Sequence, residues 1–338
     1  MGTYLVTGAA GFIGSRVAAL LLDAGHRVVG IDSLNDAYDV RLKHWRLEQI
    51  RGRDGFAFEA IDICDRAAVE ARFAADASSA GGNPPYDAVL NLAARAGVRP
   101  SVENPWIYIE ANATGTLNLL DLCRRHGVGK FVLSSTSSLY GAHNPVPYRE
   151  DADTNRPLSP YAASKKAAEA MCYSYHHLHQ IDVTVLRYFT VYGPAGRPDM
   201  SVFRFVRNIV EGDPITVFGD GSQERDFTYI DDIARGTIAA ARPVGYDTIN
   251  LGGDRPVKLF DVIRKIESLA GRAAKIEYRP AHPADVPATW ADIHQAEQVL
   301  DWRPATGVDE GLSRCVQWYR ENREAMRTIS TSDAPAKG

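Results

Sequence analysis

The sequence predicts a doubly wound α/β fold, and three observations support this prediction. Short apolar runs alternate with helix-length segments from the first residues onward. The runs are rich in Val, Ile and Leu, which is typical of parallel strands covered on both faces by crossover helices. A glycine-rich turn directly follows the first run, as in nucleotide-binding folds with a parallel Rossmann sheet. The predicted strands are Tyr4 to Thr7, Arg27 to Asp32, Phe56 to Ile61, Ala88 to Leu92, Lys130 to Ser134 and Val183 to Arg187.

The pattern loosens after Thr190 and predicts a smaller second domain of α/β type. The stretch VFRFVRNIVEGDP predicts a helix ending at Gly212, and PITVFG predicts a short strand. We therefore expect a cofactor-binding domain with the catalytic residues at 1–190 and a mainly substrate-binding domain at 191–325. The segment 326–338 has too little apolar surface to order itself and is predicted to be a flexible tail.

Composition narrows the classes of partner. The chain has 338 residues, 45% of them hydrophobic, and a formal net charge of -4. Such a chain has no basic surplus for nucleic acid or anionic lipid, and no apolar run is long enough to span a membrane. The four cysteines lack metal-ligand spacing and suit reduced core thiols. We expect a cytoplasmic protein without a metal site.

The first turn has the pattern of a diphosphate cradle. In YLVTGAAGFIGSRV, Gly8, Gly11 and Gly14 lie between a strand and an amphipathic helix. Glycine suits a tight turn, a close approach of backbone to diphosphate, and close packing of helix on strand. The helix N-terminus at Phe12 and Ile13 supplies unpaired N–H groups. A glycine trio alone can be a simple turn, but its position after a strand favours the cofactor site.

Two strand ends indicate which dinucleotide binds. Asp32 ends the second strand, where a carboxylate accepts hydrogen bonds from both ribose hydroxyls and repels a 2'-phosphate, so NAD is expected rather than NADP. The alternative for Asp32 is a solvated strand end. Asp62 and Ile63 end the third strand and are expected over the adenine, although Asp62 could instead cap the next helix.

A tyrosine and a lysine have the spacing of a catalytic pair. Tyr161 and Lys165 lie four residues apart on a predicted helix that opens with Ser159 and Pro160. Residues at i and i+4 share a helix face, so the Lys165 ammonium can favour the Tyr161 phenolate and give a general base near neutral pH. The spacing also occurs by chance, and it gains weight here from the glycine turn and from the hydroxyl row SSTSS that ends the fifth strand.

Five motifs together resemble the extended short-chain dehydrogenase/reductase family: TGAAGFIG, Asp32, SSTSSLYG, YAASK and RYFTVYGP. The resemblance runs from the N-terminus to about Asp301. It implies that Thr136 is the catalytic hydroxyl, that Tyr161 is the base, and that Lys165 tunes the base and holds the nicotinamide ribose. It also implies that Ala93 and Asn112 line the cofactor, and that hydride passes between NAD and C4 of a nucleotide sugar. Asn91 departs from the histidine of many members.

The hydroxyl row separates the reactions found in this family. Dehydratases place an Asp-Glu pair directly after the catalytic hydroxyl, and UDP-glucuronate decarboxylases typically place a Glu after it, whereas this chain has Ser137 and Ser138. Hexose epimerases have Asn where this chain has Thr190. These small hydroxyls, with Arg197 close in sequence, suit a carboxylate. The segments NLAARAGVRPSVENP and TVYGPAGRPDMSVFRF resemble the UDP-glucuronate 4-epimerases among the members.

The expected reaction is therefore NAD-dependent 4-epimerisation of UDP-glucuronate to UDP-galacturonate through a transient 4-keto sugar. The alternatives are a UDP-glucuronate decarboxylase, a UDP-glucose/galactose 4-epimerase and, more distantly, a non-catalytic NAD-binding regulator. A homodimer is expected, since family members commonly pair through helices that correspond to 104–126 and 159–179 here.

The resemblance also implies a site for the UDP end. In FGDGSQERDFTYIDD it assigns Arg225 to the diphosphate, with Gln223 close by, and it places Asp285 near the UDP ribose. His282 stands where hexose epimerases have Arg. Arg99 is either an additional cation for the phosphates or a structural residue.

Overall fold

A computed structural model describes residues 1–281 and 285–331 and gives the secondary structure of the chain. The strands are β1 Thr3–Thr7, β2 Arg27–Ile31, β3 Phe56–Glu59, β4 Ala88–Asn91, β5 Lys130–Thr136, β6 Asp182–Tyr188, β7 Thr190–Tyr192, β8 Pro214–Phe218, β9 Glu224–Tyr229, β10 Tyr246–Leu251, β11 Pro256–Lys258 and β12 Lys275–Arg279. The helices are α1 Phe12–Asp23, α2 Val40–Glu48, α3 Arg66–Ser79, α4 Val98–Glu103, α5 Trp106–Ile109, α6 Gly115–Arg125, α7 Pro160–His179, α8 Ser201–Glu211, α9 Ile230–Ala239, α10 Leu259–Ala270, α11 His294–Leu300, α12 Val308–Glu321 and α13 Arg323–Met326. A π-helical turn at Glu110–Thr114 joins α5 to α6, and a 3-10 turn at Ser137–Tyr140 follows β5.

The central sheet has seven strands in the order β10-β6-β5-β4-β1-β2-β3, and every pair is parallel. The predicted doubly wound fold is confirmed. The strand order reverses beside β1, which has β2 on one side and β4 on the other. In open parallel sheets, ligands bind at the carboxyl ends of the strands around such a reversal. The sheet thus places the glycine turn after β1, the end of β4 and the hydroxyl row after β5 along one edge.

Helices cover both faces of this sheet. On one face, Leu119, Cys123, Ala168 and Cys172 of α6 and α7 pack on strand residues such as Phe131 in one apolar cluster. On the other face, α1, α9 and α11 form a second cluster with the opposite strand faces. Both β4 and β5 are buried along their whole length, and the hydroxyl residues at the end of β5 line the cleft at the sheet edge.

A second core lies mainly among residues after 190, includes Phe12 and Leu42 from the N-terminal part, and is not formed by one continuous segment. It contains the sheets β11-β9-β7 and β12-β8, packed with α8, α10 and α12. However, β10 pairs with β6 in the central sheet and α9 packs on α1. The chain therefore crosses between the domains more than once, whereas the sequence suggested a single change at residue 190. Apolar pattern alone does not reveal which sheet a later strand joins.

The predicted tail begins too early. Met326 ends α13 with 1% of its surface exposed, and Ile329 is 3% exposed in the core of the second domain. Met326 and Ile329 are therefore packed in the core, while 332–338 lie outside the described residues. In the described part of the chain, no helix is long and apolar enough to cross a membrane, and no cluster of side chains has the make-up of a metal site.

Candidate active site

A cleft of about 390 Å³ lies at the carboxyl edge of the central sheet. This volume is within the usual range for small-molecule sites. Most of the residues selected from the sequence line it: Gly8, Gly11, Phe12, Ile13, Gly14, Asp32, Asp62, Ile63, Ala93, Thr136, Ser137, Ser138, Tyr161, Lys165, Thr190 and Arg197. The wall also contains residues that the sequence did not single out, among them Tyr38 and Lys43 of the segment after β2.

The glycine turn is too tight for larger side chains. Gly8 has φ +67°, a conformation that L residues rarely adopt, and a Cβ there would lie 2.8 Å from the backbone nitrogen of Ala93. A Cβ on Gly14 would lie 2.0 Å from the Gly8 carbonyl oxygen, closer than any real contact. The turn thus presents bare backbone and the N-terminus of α1 to the cleft, as a diphosphate requires.

We expect Gly14→Ala to abolish detectable NAD binding, because the turn must open before the added methyl group fits. Gly129→Ala is the matched control, since a Cβ at Gly129 meets nothing within 4 Å. The two variants are compared by calorimetric titration with NAD. Equal affinity of both variants would contradict the assigned role of the turn.

Asp32 at the end of β2 is a preorganised acceptor. Its two carboxylate oxygens accept hydrogen bonds from the backbone nitrogens of Ala10 (3.2 Å) and Leu34 (2.8 Å). The Lys43 ammonium lies 3.2 Å from the same carboxylate, and only 7% of the Lys43 side chain is exposed. The charge of Asp32 is therefore already paired, and recognition of a ribose would depend on its acceptor geometry more than on unbalanced charge.

Two other predicted cofactor residues, Asp62 and Asn112, differ in whether they line the cleft. The cap of α3 is Asp65, whose side chain accepts from the Ala68 nitrogen, so Asp62 is not used as that cap. Asp62 lines the cleft. Asn112, in contrast, is 1% exposed and outside the cleft wall, where its side chain bonds the backbone of Arg95 in both directions. Asn112 therefore supports the loop after β4, and its predicted contact with the cofactor stays a prediction.

Tyr161 and Lys165 lie on the first turns of α7 beside the end of β5. The helix starts as the sequence indicated, with the Ser159 hydroxyl accepting from the Ala162 nitrogen at 3.2 Å. Burial raises the pKa of the Tyr161 phenol, while the Thr136 hydroxyl and the Arg197 charge oppose this change. The Lys165 ammonium donates to the Ser134 carbonyl at 2.7 Å. Burial lowers the pKa of Lys165 to about 8, with the Glu169 carboxylate acting in the opposite direction.

The hydroxyls after β5 have different neighbours. Thr136 and Ser138 are linked, because the Thr136 hydroxyl accepts from the Ser138 nitrogen and lies 3.1 Å from the Ser138 hydroxyl. Ser135 instead donates to Glu169 at 2.6 Å. All five residues of the row, 134–138, line the cleft, and Ser135 in addition anchors the strand to α7.

A buried ion pair lies directly behind this catalytic face. Glu169 follows Lys165 by one helical turn, and its carboxylate binds Arg187 of β6 through two hydrogen bonds of 3.0 and 2.9 Å. The side chains are 6% and 5% exposed. Arg187 also donates to the Tyr140 hydroxyl at 3.1 Å. Sequence reasoning missed this network, because a charged residue at a helical position is normally assigned to the surface.

Arg197 and Thr190 form the opposite wall. The Arg197 guanidinium pairs with Asp199, and its carbon lies 5.5 Å from the centre of the Tyr38 ring. The proximity of Asp199 keeps the pKa of Arg197 above its usual value despite burial, so the group is a fixed cation. Thr190 begins β7. A cation and several hydroxyl donors thus face one another near Tyr161.

The predicted UDP residues form a separate cluster that is not part of this cleft wall. Arg99 of α4 pairs with Asp285 at 2.6 Å and stacks on the Phe218 ring at 3.7 Å. Burial lowers the pKa of Arg225, and the charge of Asp285 opposes this change. Gln223 donates to the Phe218 carbonyl at 3.0 Å. His282 lies outside the described residues. The cluster gathers two arginines from different domains around one carboxylate.

The fold and the site define a class of protein: a dinucleotide-binding enzyme with a Tyr-Lys-hydroxyl centre at the carboxyl edge of a parallel sheet. The chain belongs to the NAD dependent epimerase/dehydratase family, whose model matches residues 4–252.

Individual relatives are similar over nearly the whole chain. A UDP-glucuronate 4-epimerase of Thermodesulfobacterium geofontis is 54% identical over 97% of this chain and 99% of the relative. A probable UDP-glucuronate 4-epimerase of Rhizobium meliloti is 39% identical over 96% and 99%. The crystal structure of UDP-glucuronic acid 4-epimerase from Bacillus cereus, in complex with UDP-glucuronic acid and NAD, is 36% identical with a TM-score of 0.85, covering 94% of this chain and 99% of that one.

Proposed function

We propose that this protein catalyses the NAD-dependent 4-epimerisation of UDP-glucuronate to UDP-galacturonate. The observation that carries the proposal is the cleft itself, in which the Tyr161 and Lys165 pair faces Ser137, Ser138, Thr190 and Arg197. The pair supplies a base for a sugar hydroxyl, and the opposite groups are donors for a carboxylate. The similarity to UDP-glucuronate 4-epimerases, at 54% and 39% identity, supports the same substrate.

The cleft suits NAD. The glycine turn fits a diphosphate because a side chain at Gly8 or Gly14 would meet backbone, and Asp32 is placed to accept from ribose hydroxyls. Lys165 would hold the second ribose. When bound, NAD would supply reversible hydride transfer at C4 of the sugar.

The protein side of the reaction is proton transfer. The Tyr161 oxygen takes the proton of the sugar 4-hydroxyl, and the Thr136 hydroxyl orients the same oxygen by hydrogen bonding. A protonated Lys165 favours the phenolate electrostatically, and the positive charge of Arg197 acts in the same direction. After the 4-keto sugar has turned its other face, Tyr161 returns the proton as hydride is returned to C4. No net proton or electron is consumed.

The carboxylate needs restraint, because a 4-keto uronic acid is a β-keto acid. Such a compound loses carbon dioxide when its C5–C6 bond aligns with the carbonyl π system. Donors at Ser137, Ser138, Thr190 and Arg197 can hold the carboxylate away from that alignment. The cleft residues at 137 and 138 offer no carboxyl group, so the dehydratase and decarboxylase arrangements described above have no counterpart there.

Incubation of the protein with UDP-glucuronate and trace NAD, followed by NMR of the sugar signals, tests the proposal. We expect UDP-galacturonate to form without net NADH. Formation of UDP-pentose would favour the decarboxylase alternative. Turnover of UDP-glucose alone would favour the hexose epimerase, and NAD binding without turnover of any nucleotide sugar would favour the regulator.

The double variant Ser138→Ala/Thr190→Ala is expected to raise the KM for UDP-glucuronate roughly 10- to 100-fold, because hydrogen bonds to a charged group contribute about 1.5–3 kcal/mol each and do not add fully. We also expect UDP-pentose and carbon dioxide to appear among the products. Steady-state assays with product NMR measure both. The control is Ser78→Ala/Ser79→Ala at the exposed end of α3. An unchanged KM and product mixture in the first variant would contradict the assigned role of these hydroxyls.

We further propose a homodimer formed through α4, α5 and α7. Large apolar side chains on these helices are exposed, including Trp106 at 79%, Leu178 at 68% and Val102 at 55%. Exposed large apolar side chains on helices that pack against one another support an interface there. A cytoplasmic location is also proposed, supported by the buried free thiols of Cys123, Cys172 and Cys315.

A further inference from the structure

Arg46 of α2 is a buried cation for which the mechanism above has no use. It is 2% exposed, and none of the carboxylates in the described part of the chain pairs with it. Its partners are three backbone carbonyls and one phenol. A guanidinium removed from water without an anion is unfavourable unless its donors are all well used. The groups that accept hydrogen bonds from Arg46 therefore indicate what this residue does.

The donors hold the turn that carries Arg197. The Arg46 Nε donates to the Ala195 carbonyl at 2.9 Å, and one terminal nitrogen donates to the Gly196 carbonyl at 3.1 Å. Ala195 has φ +53°, in the left-handed region where a Cβ is unfavourable. A strained turn persists only when its surroundings fix it. Arg46 binds the carbonyls of the strained residue and of the next one, immediately before Arg197.

The same guanidinium also reaches the cofactor side of the cleft. Its other terminal nitrogen donates to the Tyr38 hydroxyl at 2.7 Å and lies 3.4 Å from the Ala10 carbonyl in the glycine turn. Tyr38 lines the cleft and lies under the Arg197 guanidinium. One buried side chain thus connects the glycine turn, the Tyr38 wall and the turn before Arg197, which are far apart in sequence.

We propose that Arg46 is a positioning residue for the sugar carboxylate: it holds the 195–196 turn in its left-handed conformation and thereby fixes the Arg197 guanidinium beside Tyr161. The inference rests on the proposed function for the identity of the carboxylate, whereas the claim about the turn concerns this chain alone. A planar guanidinium with several directed donors suits this task, and the single ammonium of a lysine cannot replace it.

The test compares Arg46→Met with Arg46→Met/Ala195→Gly. Loss of the guanidinium should release the turn, so we expect faster amide hydrogen exchange in a peptide covering 193–200 of the NAD-free protein. We also expect the KM for UDP-glucuronate to rise at least tenfold, with a smaller change in kcat. Glycine adopts positive φ without steric penalty. Ala195→Gly should therefore restore part of the lost affinity, which a general packing role for Arg46 would not predict. Arg51→Met, at a side chain 59% exposed, is the control.

Exchange at 193–200 that stays at the wild-type rate in Arg46→Met would overturn the inference. So would a rise in KM that Ala195→Gly fails to reduce while melting temperature and NAD stoichiometry remain normal. If Arg46→Met does not fold, Arg46→Lys replaces it, and the same rescue by Ala195→Gly is required. Absence of UDP-glucuronate turnover in the wild-type protein would instead refute the proposed function, and the exchange experiment would still decide the role of Arg46.

Discussion

Tyr161→Phe is expected to lower kcat for UDP-glucuronate by roughly 10²- to 10⁴-fold, the usual contribution of a positioned general base. The ring keeps its place in the packing and only the hydroxyl is lost. NAD should therefore still bind, because the glycine turn and Asp32 are unchanged. Steady-state turnover and calorimetric NAD binding measure the two effects separately.

The matched control is Tyr173→Phe on the same helix. Tyr173 is 56% exposed and far along α7 from the cleft, so the loss of its hydroxyl should leave kcat within about twofold. Comparable activity of Tyr161→Phe and Tyr173→Phe would refute the assignment of the base. Loss of NAD binding in Tyr161→Phe would mean that the phenol serves the cofactor instead of the proton transfer.

Glu169→Ala should lower the free energy of unfolding by about 3–5 kcal/mol, the range found when one partner of a buried ion pair is removed. After this substitution the Arg187 guanidinium would remain buried without the carboxylate that pairs with it. Ser135 would also lose its acceptor, so the end of β5 would be less firmly attached to α7. Urea unfolding, with its midpoint and slope, measures the change.

Glu48→Ala provides the comparison for this stability effect. Glu48 pairs with Arg51 at 2.8 Å, but both side chains are more than half exposed. Exposed pairs contribute about 0–1 kcal/mol, so Glu48→Ala should be nearly neutral. Equal destabilisation by both variants would show that the buried network has no special role. The effect of the Glu169 charge on kcat can be measured separately in Glu169→Gln, which keeps the shape of the side chain while removing its charge.

The sequence predicts well the features that depend on local pattern. The strands are short, nearly continuous apolar runs, as expected for parallel strands buried on both faces, and the glycine turn and the Tyr161 to Lys165 spacing are set by neighbouring residues. Gly212 ends α8 in the left-handed conformation, as its position after the apolar stripe indicates. These features can be predicted without knowing which residues pack against them.

The features that sequence reasoning missed depend on partners far along the chain. Glu169 meets Arg187 across the helix–sheet packing, and Arg46 meets Ala195, which is 149 positions away. Nothing in the local sequence distinguishes such buried charges from solvated ones. One weak signal existed for Arg46, because it shares a helix with the buried Lys43 at a spacing of three and so lies on the same face.

The assignment of residues to the UDP end stays a prediction. Gln223, Arg225 and Asp285 were assigned through resemblance, and they gather with Arg99 outside the main cleft wall. The salt bridge from Arg99 to Asp285 favours the view that Arg99 acts together with Asp285 and Arg225. The contact between Arg99 and Asp285 depends on the packing of α4 against the second domain, and the sequence pattern does not reveal this packing.

In the proposed reaction, hydride leaves C4 of UDP-glucuronate and returns to the same carbon within one turnover. The most direct measurement uses UDP-glucuronate carrying deuterium at C4, with the product examined by NMR and mass spectrometry. We expect UDP-galacturonate that retains the deuterium at C4, without accumulation of reduced cofactor. Replacement of the deuterium by solvent hydrogen, or a UDP-pentose as the main product, would contradict it.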